Sequence, residues 1–304
     1  MYTKIYRTII IFLAILSLNS CSQHDLPPKE TEGIPNGTGA FSYTYSGLPQ
    51  KPINVFYHIP AGNKTNMPIV IVFHGDERNA EDYRDYWRNA ANQYGFMVFA
   101  PEFTEALFPG GSSYILGNVY DDGNNPSPST LNSESTWTFS IIEPLFDYIK
   151  HNTGNVSQTY DIFGHSGGGQ FVHRFVMLKP NARYNKAIAA NSGWFTVPDG
   201  VANFPYGIEN SPITSTNPQQ YFSRNLIIQV GALDNNGNDP SLRHNAESDL
   251  QGVNRLQRAN YFFDQSQDYA NSLNATFNWQ LRIVPNSGHD GELMSQDAIH
   301  LLFD

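Results

Sequence analysis

Residues 160–177 read YDIFGHSGGGQFVHRFVM. Tyr160 to Phe163 is a short run of strand formers, and Gln170 to Met177 carries apolar side chains at helical spacing. Between them, Gly164-His165-Ser166-Gly167-Gly168 matches G-x-S-x-G. That pattern is too short to decide anything alone, but its setting is informative. A strand, a turn and then a helix is the arrangement that lifts a serine hydroxyl clear of a sheet edge. The turn must be sharp, so side chains at Gly164 and Gly168 would strike the neighbouring strand and helix. The plainer reading is a glycine-rich turn that holds an anion at a helix N-terminus. Ser166 is the candidate nucleophile.

Working outward, Phe41, Tyr43 and Tyr45 alternate with small residues, and INVFYHI at 53–59 is a second strand pattern. PIVIVF at 68–73 and FMVFA at 96–100 are continuous apolar runs, as expected of strands buried on both faces. Tyr83, Trp87 and Ala91 place a helix over 80–94. Residues 104–135 are rich in Gly, Ser, Asn, Asp and Pro and predict a long surface insertion, with one short strand at 114–119. A helix is predicted over 135–150, strands over 187–190, 226–230 and 279–284, and helices over 250–270 and 292–303. Strands that alternate with helices indicate the α/β class, a mostly parallel twisted sheet with helices on both faces. One catalytic domain over 41–304 is expected.

A serine needs a base within hydrogen-bond reach. Of the nine histidines, His289 stands out: it follows the last strand pattern by a short loop and precedes the final helix, where chain order Ser…Asp…His places the base. The acid should lie just beyond the strand at 226–230. Asp234 is close enough to stay at the sheet edge, whereas Asp239, beyond an Asn/Gly stretch, reads as a solvated loop carboxylate. This stretch is no EF-type calcium loop, because Asp239 and Asn245 occupy the places that need Gly and Glu. An oxyanion needs two N–H donors. Gly167 supplies one, and the Phe73-His74-Gly75-Asp76 turn offers Asp76 N–H as the second, with Glu77 N–H as a fallback. No cofactor or metal is expected. Asp121 and Asp122 make a poor glycosidase pair, since adjacent residues of an extended segment face opposite ways.

The chain has 304 residues, is 40% hydrophobic and 15% charged, and carries a net charge of −10. Such a composition folds, and without a basic stripe it predicts no nucleic-acid partner. At the N-terminus, Lys4 and Arg7 precede an apolar run over 8–18 that is short for a membrane span. Leu18-Asn19-Ser20-Cys21 then resembles a bacterial lipobox, and Cys21 is the chain's single cysteine. Residues 1–20 are read as a lipoprotein signal peptide and the Pro/Gly-rich residues 21–40 as a polar tether. The expected location is the bacterial cell envelope, periplasm or outer membrane, with membrane attachment through lipid on Cys21.

HG at 74–75 after a buried strand, GHSGG at 164–168, Asp234 and His289 together resemble the α/β-hydrolase superfamily. FHGDERNAEDYRDYW at 73–87, NSGW at 191–194 and QGVNRLQRANYFF at 251–263 are similar to secreted polyhydroxybutyrate-depolymerase-like and feruloyl-esterase-like serine hydrolases. The resemblance implies ester hydrolysis through an acyl-enzyme. His165 and Trp194 are candidate substrate contacts, and the 104–135 and 194–222 segments are candidate pocket walls. Rival readings are a peptidase of the same fold, and a non-catalytic surface lipoprotein that stacks glycans on Trp194. Having Ser, Asp and His all in place argues against the second.

Overall fold

The computed structural model describes residues 33–304. The expected signal peptide and Cys21 lie outside the described residues. The stretch read as tether is ordered at its end: Ile34 is buried, and β1 (Gly37–Tyr43) begins inside it.

Eight strands form one sheet in the order β1-β2-β4-β3-β5-β6-β7-β8. The remaining strands are β2 (Ile53–Ile59), β3 (Ile69–Phe73), β4 (Met97–Pro101), β5 (Tyr160–His165), β6 (Tyr184–Ala190), β7 (Asn225–Gly231) and β8 (Gln280–Val284). β1 and β2 pair antiparallel with each other, and β2 pairs antiparallel with β4; every other pairing is parallel. The continuous apolar run in β3 divides by the two-residue period of a strand. Ile69, Ile71 and Phe73 face one core, while Val70 and Val72 face the other. On the second face lie α1 (Ala80–Tyr94) and α8 (Gly291–Phe303), which bury Trp87 and Met294. The first face is covered by α3 (Ile142–Thr153), α4 (Gly167–Leu178) and α7 (Arg255–Ser272), through Phe146, Phe171 and Phe262. Three short helices, α2 (Gly110–Ser113), α5 (Pro218–Phe222) and α6 (Ala246–Leu250), sit in the connections.

Four expectations are corrected. No strand forms at 114–119, because Gly117 and Asn118 adopt φ of 66° and 56°, outside the extended region. Nor is the segment a surface excursion: Phe108, Tyr114, Leu116 and Val119 are buried in the core. The helix expected from 135 begins at Ile142, after 3-10 turns at Glu134–Thr136 and Thr138–Ile141. Pro144 lacks an N–H and is tolerated only in a first turn, which fixes that start. The helix expected from 250 starts at Arg255, since Gly252 has φ 130° and Asn254 caps α7 by accepting from Gln257 N–H at 2.9 Å.

Candidate active site

Ser166 lies between β5 and α4 with φ 56° and ψ −114°, a backbone conformation that an L-residue holds only under constraint. The constraint is close packing. A Cβ on Gly164 would fall 2.2 Å from the Gly168 carbonyl oxygen, and one on Gly168 would fall 2.3 Å from that of Phe73. Both glycines are therefore fixed by the approach of β3, β5 and α4.

β7 and β8 carry the other two members. Beyond β7, Asp234 is 4% exposed. Its loop is tied to the His289 loop by Ala232 N–H to Val284 O (2.9 Å) and Leu233 N–H to Ser287 O (2.8 Å). His289 Nδ1–H donates to Asp234 Oδ2 at 2.8 Å. A carboxylate only accepts, so the ring proton sits on Nδ1 and Nε2 is left as acceptor. Ser166 Oγ lies 3.1 Å from that Nε2 and donates to it. The sequence places these three residues far apart, and the fold joins them in one relay.

The sequence does not single out Arg255, the first residue of α7, which is buried beside the acid. Its Nη1 donates to Asp239 Oδ2 at 2.8 Å and reaches Asp234 Oδ1 at 3.4 Å; its Nη2 donates to Ser241 Oγ at 2.8 Å. Asp239 is therefore not the solvated loop carboxylate expected. Its side chain is 22% exposed and anchors Arg255. Desolvation would raise its pKa, but hydrogen bonds from Ser241 and the Arg255 charge outweigh this and hold it well below the usual carboxylate range.

Asp76 sits beside Gly167: a Cβ on Gly167 would lie 2.7 Å from Asp76 Oδ1 and 3.5 Å from Asp76 N. Among the described residues neither the Gly167 nor the Asp76 N–H has a hydrogen-bond partner. The preceding turn is pinned by His74, whose Nδ1–H donates to Gly75 O at 2.9 Å and whose Nε2 accepts from Phe103 N–H at 3.0 Å. Burial pushes the His74 pKa down to about 3, so the ring stays neutral.

His165 lies beneath His289, ring centroids 4.7 Å apart, and both its nitrogens are engaged. Asn191 Nδ2 donates to His165 Nε2 at 3.3 Å and to Gly288 O at 2.9 Å, while Asn191 Oδ1 accepts from Gly231 N–H at 2.8 Å. His165 Nδ1–H therefore points to Tyr83 OH, 2.7 Å away. Burial, then the His289 and Arg255 charges, keep His165 neutral. Asn191 follows β6 directly and has φ 46°, a conformation in which Asn is enriched. It joins the ends of β5, β6 and β7 to the loop bearing His289.

No protein-family model matches the chain, and no curated protein matches it in sequence. Solved structures do match. A poly(aspartic acid) hydrolase-1 from Sphingomonas sp. KT-1 is 38% identical, with TM-score 0.81, over 89% of this chain and 100% of that one. The belonging is decided by that identity together with a second relative. LpqC, a poly(3-hydroxybutyrate) depolymerase from Bordetella parapertussis, is 31% identical with TM-score 0.82, over 89% of this chain and 90% of that one. The chain belongs to the α/β-hydrolase superfamily. An S-formylglutathione hydrolase from Agrobacterium tumefaciens, at 15% identity and TM-score 0.56 over 90% of this chain and 96% of that one, shares the fold.

In this α/β-hydrolase, two cavities meet at Asp76 and Ser241. One, of about 230 Å³, contains Ser166 and His289 with Tyr83 and Tyr86 on its wall. The other, of about 370 Å³, is walled by Arg78, Gln170, Trp194 and Arg243. The insertion contributes Glu105, Gly110 and Ile115 to that second wall.

Proposed function

We propose that this hydrolase is a serine esterase that cleaves a carboxylic ester through an acyl-enzyme. The observation that carries the reading is the relay from Ser166 Oγ to His289 Nε2 (3.1 Å) and from His289 Nδ1 to Asp234 Oδ2 (2.8 Å). Ser166 Oγ attacks the ester carbonyl carbon as its proton passes to His289 Nε2. The tetrahedral oxyanion is received by the N–H groups of Gly167 and Asp76. Asp76 must then keep its carboxylate turned from that oxygen. His289 returns the proton to the departing alcohol oxygen, then takes one from water as its oxygen attacks the acyl carbon, and gives that proton to Ser166 Oγ as the acyl–Oγ bond breaks and the acid leaves. Asp234 fixes the ring tautomer and stabilises the imidazolium.

The name of one relative describes a depolymerase of a polyester, which supports a polyester as substrate; the other describes a hydrolase of poly(aspartic acid), whose backbone is joined by amides. Trp194 is the substrate contact of the second cavity. His165 borders the Ser166 cavity, but its two ring nitrogens are engaged by Tyr83 and Asn191, which leaves it no free polar atom for substrate. We further propose residues 1–20 as a signal peptide, with lipid on Cys21 anchoring the catalytic domain to the cell envelope. Cys21→Ser should stop incorporation of labelled palmitate in cells, and continued labelling would overturn the anchor.

The mechanism is tested with Ser166→Ala. Its kcat on a nitrophenyl ester should fall about 10⁴–10⁶-fold with the circular dichroism spectrum unchanged. The wild type, quenched in acid during turnover, should carry one acyl mass on the peptide containing Ser166. An acyl mass on another residue, or an active Ser166→Ala enzyme, would refute the assignment.

A further inference from the structure

The second cavity is lined by arginine that lacks its usual partner. Seven arginines, Arg78, Arg84, Arg88, Arg183, Arg255, Arg258 and Arg282, each meet a carboxylate within 4.0 Å. Arg224 is held by three backbone carbonyls. Arg174 and Arg243 differ, and both lie over the ring of Trp194, at 4.2 and 4.8 Å from its centroid.

Arg174 is fully buried. It donates only to neutral groups: Nε to Thr196 Oγ1 at 2.8 Å, and Nη1 to Gln170 O at 3.0 Å and Ile115 O at 3.4 Å. Among the described residues its Nη2 has no partner. A buried cation without a counter-charge is costly, so folds normally pair it. Burial, and after it the nearby Arg243, work against its charged form. Arg243 reaches the cavity, with its Nη1 bonded to Asn124 Oδ1 (2.8 Å) and Tyr206 OH (3.0 Å), again neutral groups. Gln170 lines the same cavity, is 5% exposed, and finds no partner for its amide oxygen among the described residues. Two carboxylates also line the space. Glu105 is already taken by Arg78 at 2.9 Å and Gly110 N–H at 2.7 Å. Asp76 stands where the cavity joins that of Ser166.

We propose that this cavity binds a carboxylate borne by the substrate, with Arg243 as its direct partner and Trp194 as the floor, so that the enzyme prefers esters whose acyl part ends in a free acid. The proposal rests on the serine-esterase reading and adds to it the class of acyl group. Arg174, fully buried against the same ring and outside the cavity wall, supplies field without contact. Asp76 repels an acid placed close to the scissile bond, so the favoured carboxylate is carried several bonds away from the ester. A guanidinium presents two parallel N–H groups to a carboxylate, a match that an ammonium cannot reproduce.

The test compares two nitrophenyl esters of equal length: mono(4-nitrophenyl) adipate, and the same compound with its free acid capped as the methyl ester. Wild-type kcat/KM should favour the free acid by about 10- to 100-fold at low salt, with the preference shrinking as ionic strength rises. In Arg243→Gln the ratio of the two values should fall towards one, and Arg243→Lys should restore part of it. A wild-type ratio of one or below, or a ratio that Arg243→Gln leaves intact, overturns the carboxylate site. Turnover of the capped ester that Ser166→Ala abolishes establishes the esterase reading separately. If neither ester is turned over in a Ser166-dependent way, that reading falls and the proposal falls with it.

Discussion

Neutralising Asp239 should injure the enzyme although the proposed triad acid is Asp234. Arg255 Nη1 is shared between Asp239 Oδ2 at 2.8 Å and Asp234 Oδ1 at 3.4 Å. With Asp239→Asn, the buried guanidinium keeps Asp234 as its one carboxylate and should close on it. Asp234 would then divide its charge between Arg255 and His289, and the imidazolium formed during catalysis would be stabilised less. Unit charges about 4 Å apart interact by about 4 kcal/mol at an effective dielectric of 20. Asp239 is 22% exposed, and Arg255 keeps both Asp234 and Ser241. The net loss of stability is accordingly about 1–2 kcal/mol, and the loss in kcat about tenfold. Asp234→Asn removes the tautomer lock itself and should cost about 10³–10⁴-fold in kcat. The assay is kcat and KM for both variants on one activated ester, with urea denaturation alongside. Because the Asp239 pKa is lowered in the fold, its contribution to stability is full above the ordinary carboxylate value and is lost as pH falls below it. The stability gap between wild type and Asp239→Asn should therefore narrow below about pH 4. An Asp239→Asn enzyme equal to wild type in both stability and kcat would refute the shared-guanidinium argument, and a greater loss there than in Asp234→Asn would move the triad acid.

Three buried histidines should make the fold sensitive to mild acid. Burial lowers the pKa of His74, His165 and His173 in the fold, so the unfolded chain binds more protons below its own value near 6.5. Stability is then complete above that value and falls by about 1.4 kcal/mol per histidine on going to pH 5.5, about 4 kcal/mol for the three. A urea midpoint that is the same at pH 7.5 and 5.5 would contradict this. Asn191→Ala should lower kcat by about 10- to 100-fold and leave KM within about threefold, because Asn191 places the His289 loop and touches no substrate. A rise in KM with kcat preserved would mean that Asn191 contacts substrate instead.

Much of this site is readable from the chain because its geometry depends on local rules. A serine on a strained turn needs glycines where other chains pass close by, and Gly164 and Gly168 stand in the sequence for that reason. Ser166 directly follows a strand pattern, Asp234 and His289 follow theirs by a few loop residues, and parallel strands bring such positions to one edge of the sheet. Arg255 gave no such sign. An arginine at the start of a helix reads as a surface residue, and only packing decides that α7 brings it to Asp234. The insertion misled for a related reason: its Gly, Asn and Ser content describes a backbone that turns, and says nothing about whether Phe108 and Tyr114 point inward.

The same distinction explains how the site is held. Strand order places three loops side by side, but it does not set the distance between Ser166 Oγ and His289 Nε2. That distance depends on the polar contacts between the loops, and Asn191 makes several of them. One side chain accepts from the end of β7 and donates both to the His289 loop and to His165. Because Asn191 offers N–H to His165 Nε2, a protonated His165 would oppose two donors, so the ring beneath His289 is held neutral by hydrogen bonding as well as by burial. A neutral ring there does not repel the imidazolium that the proposed mechanism forms on His289. The contact that fixes the loop thus also fixes the charge beneath the base, and a substitution at Asn191 should disturb both together.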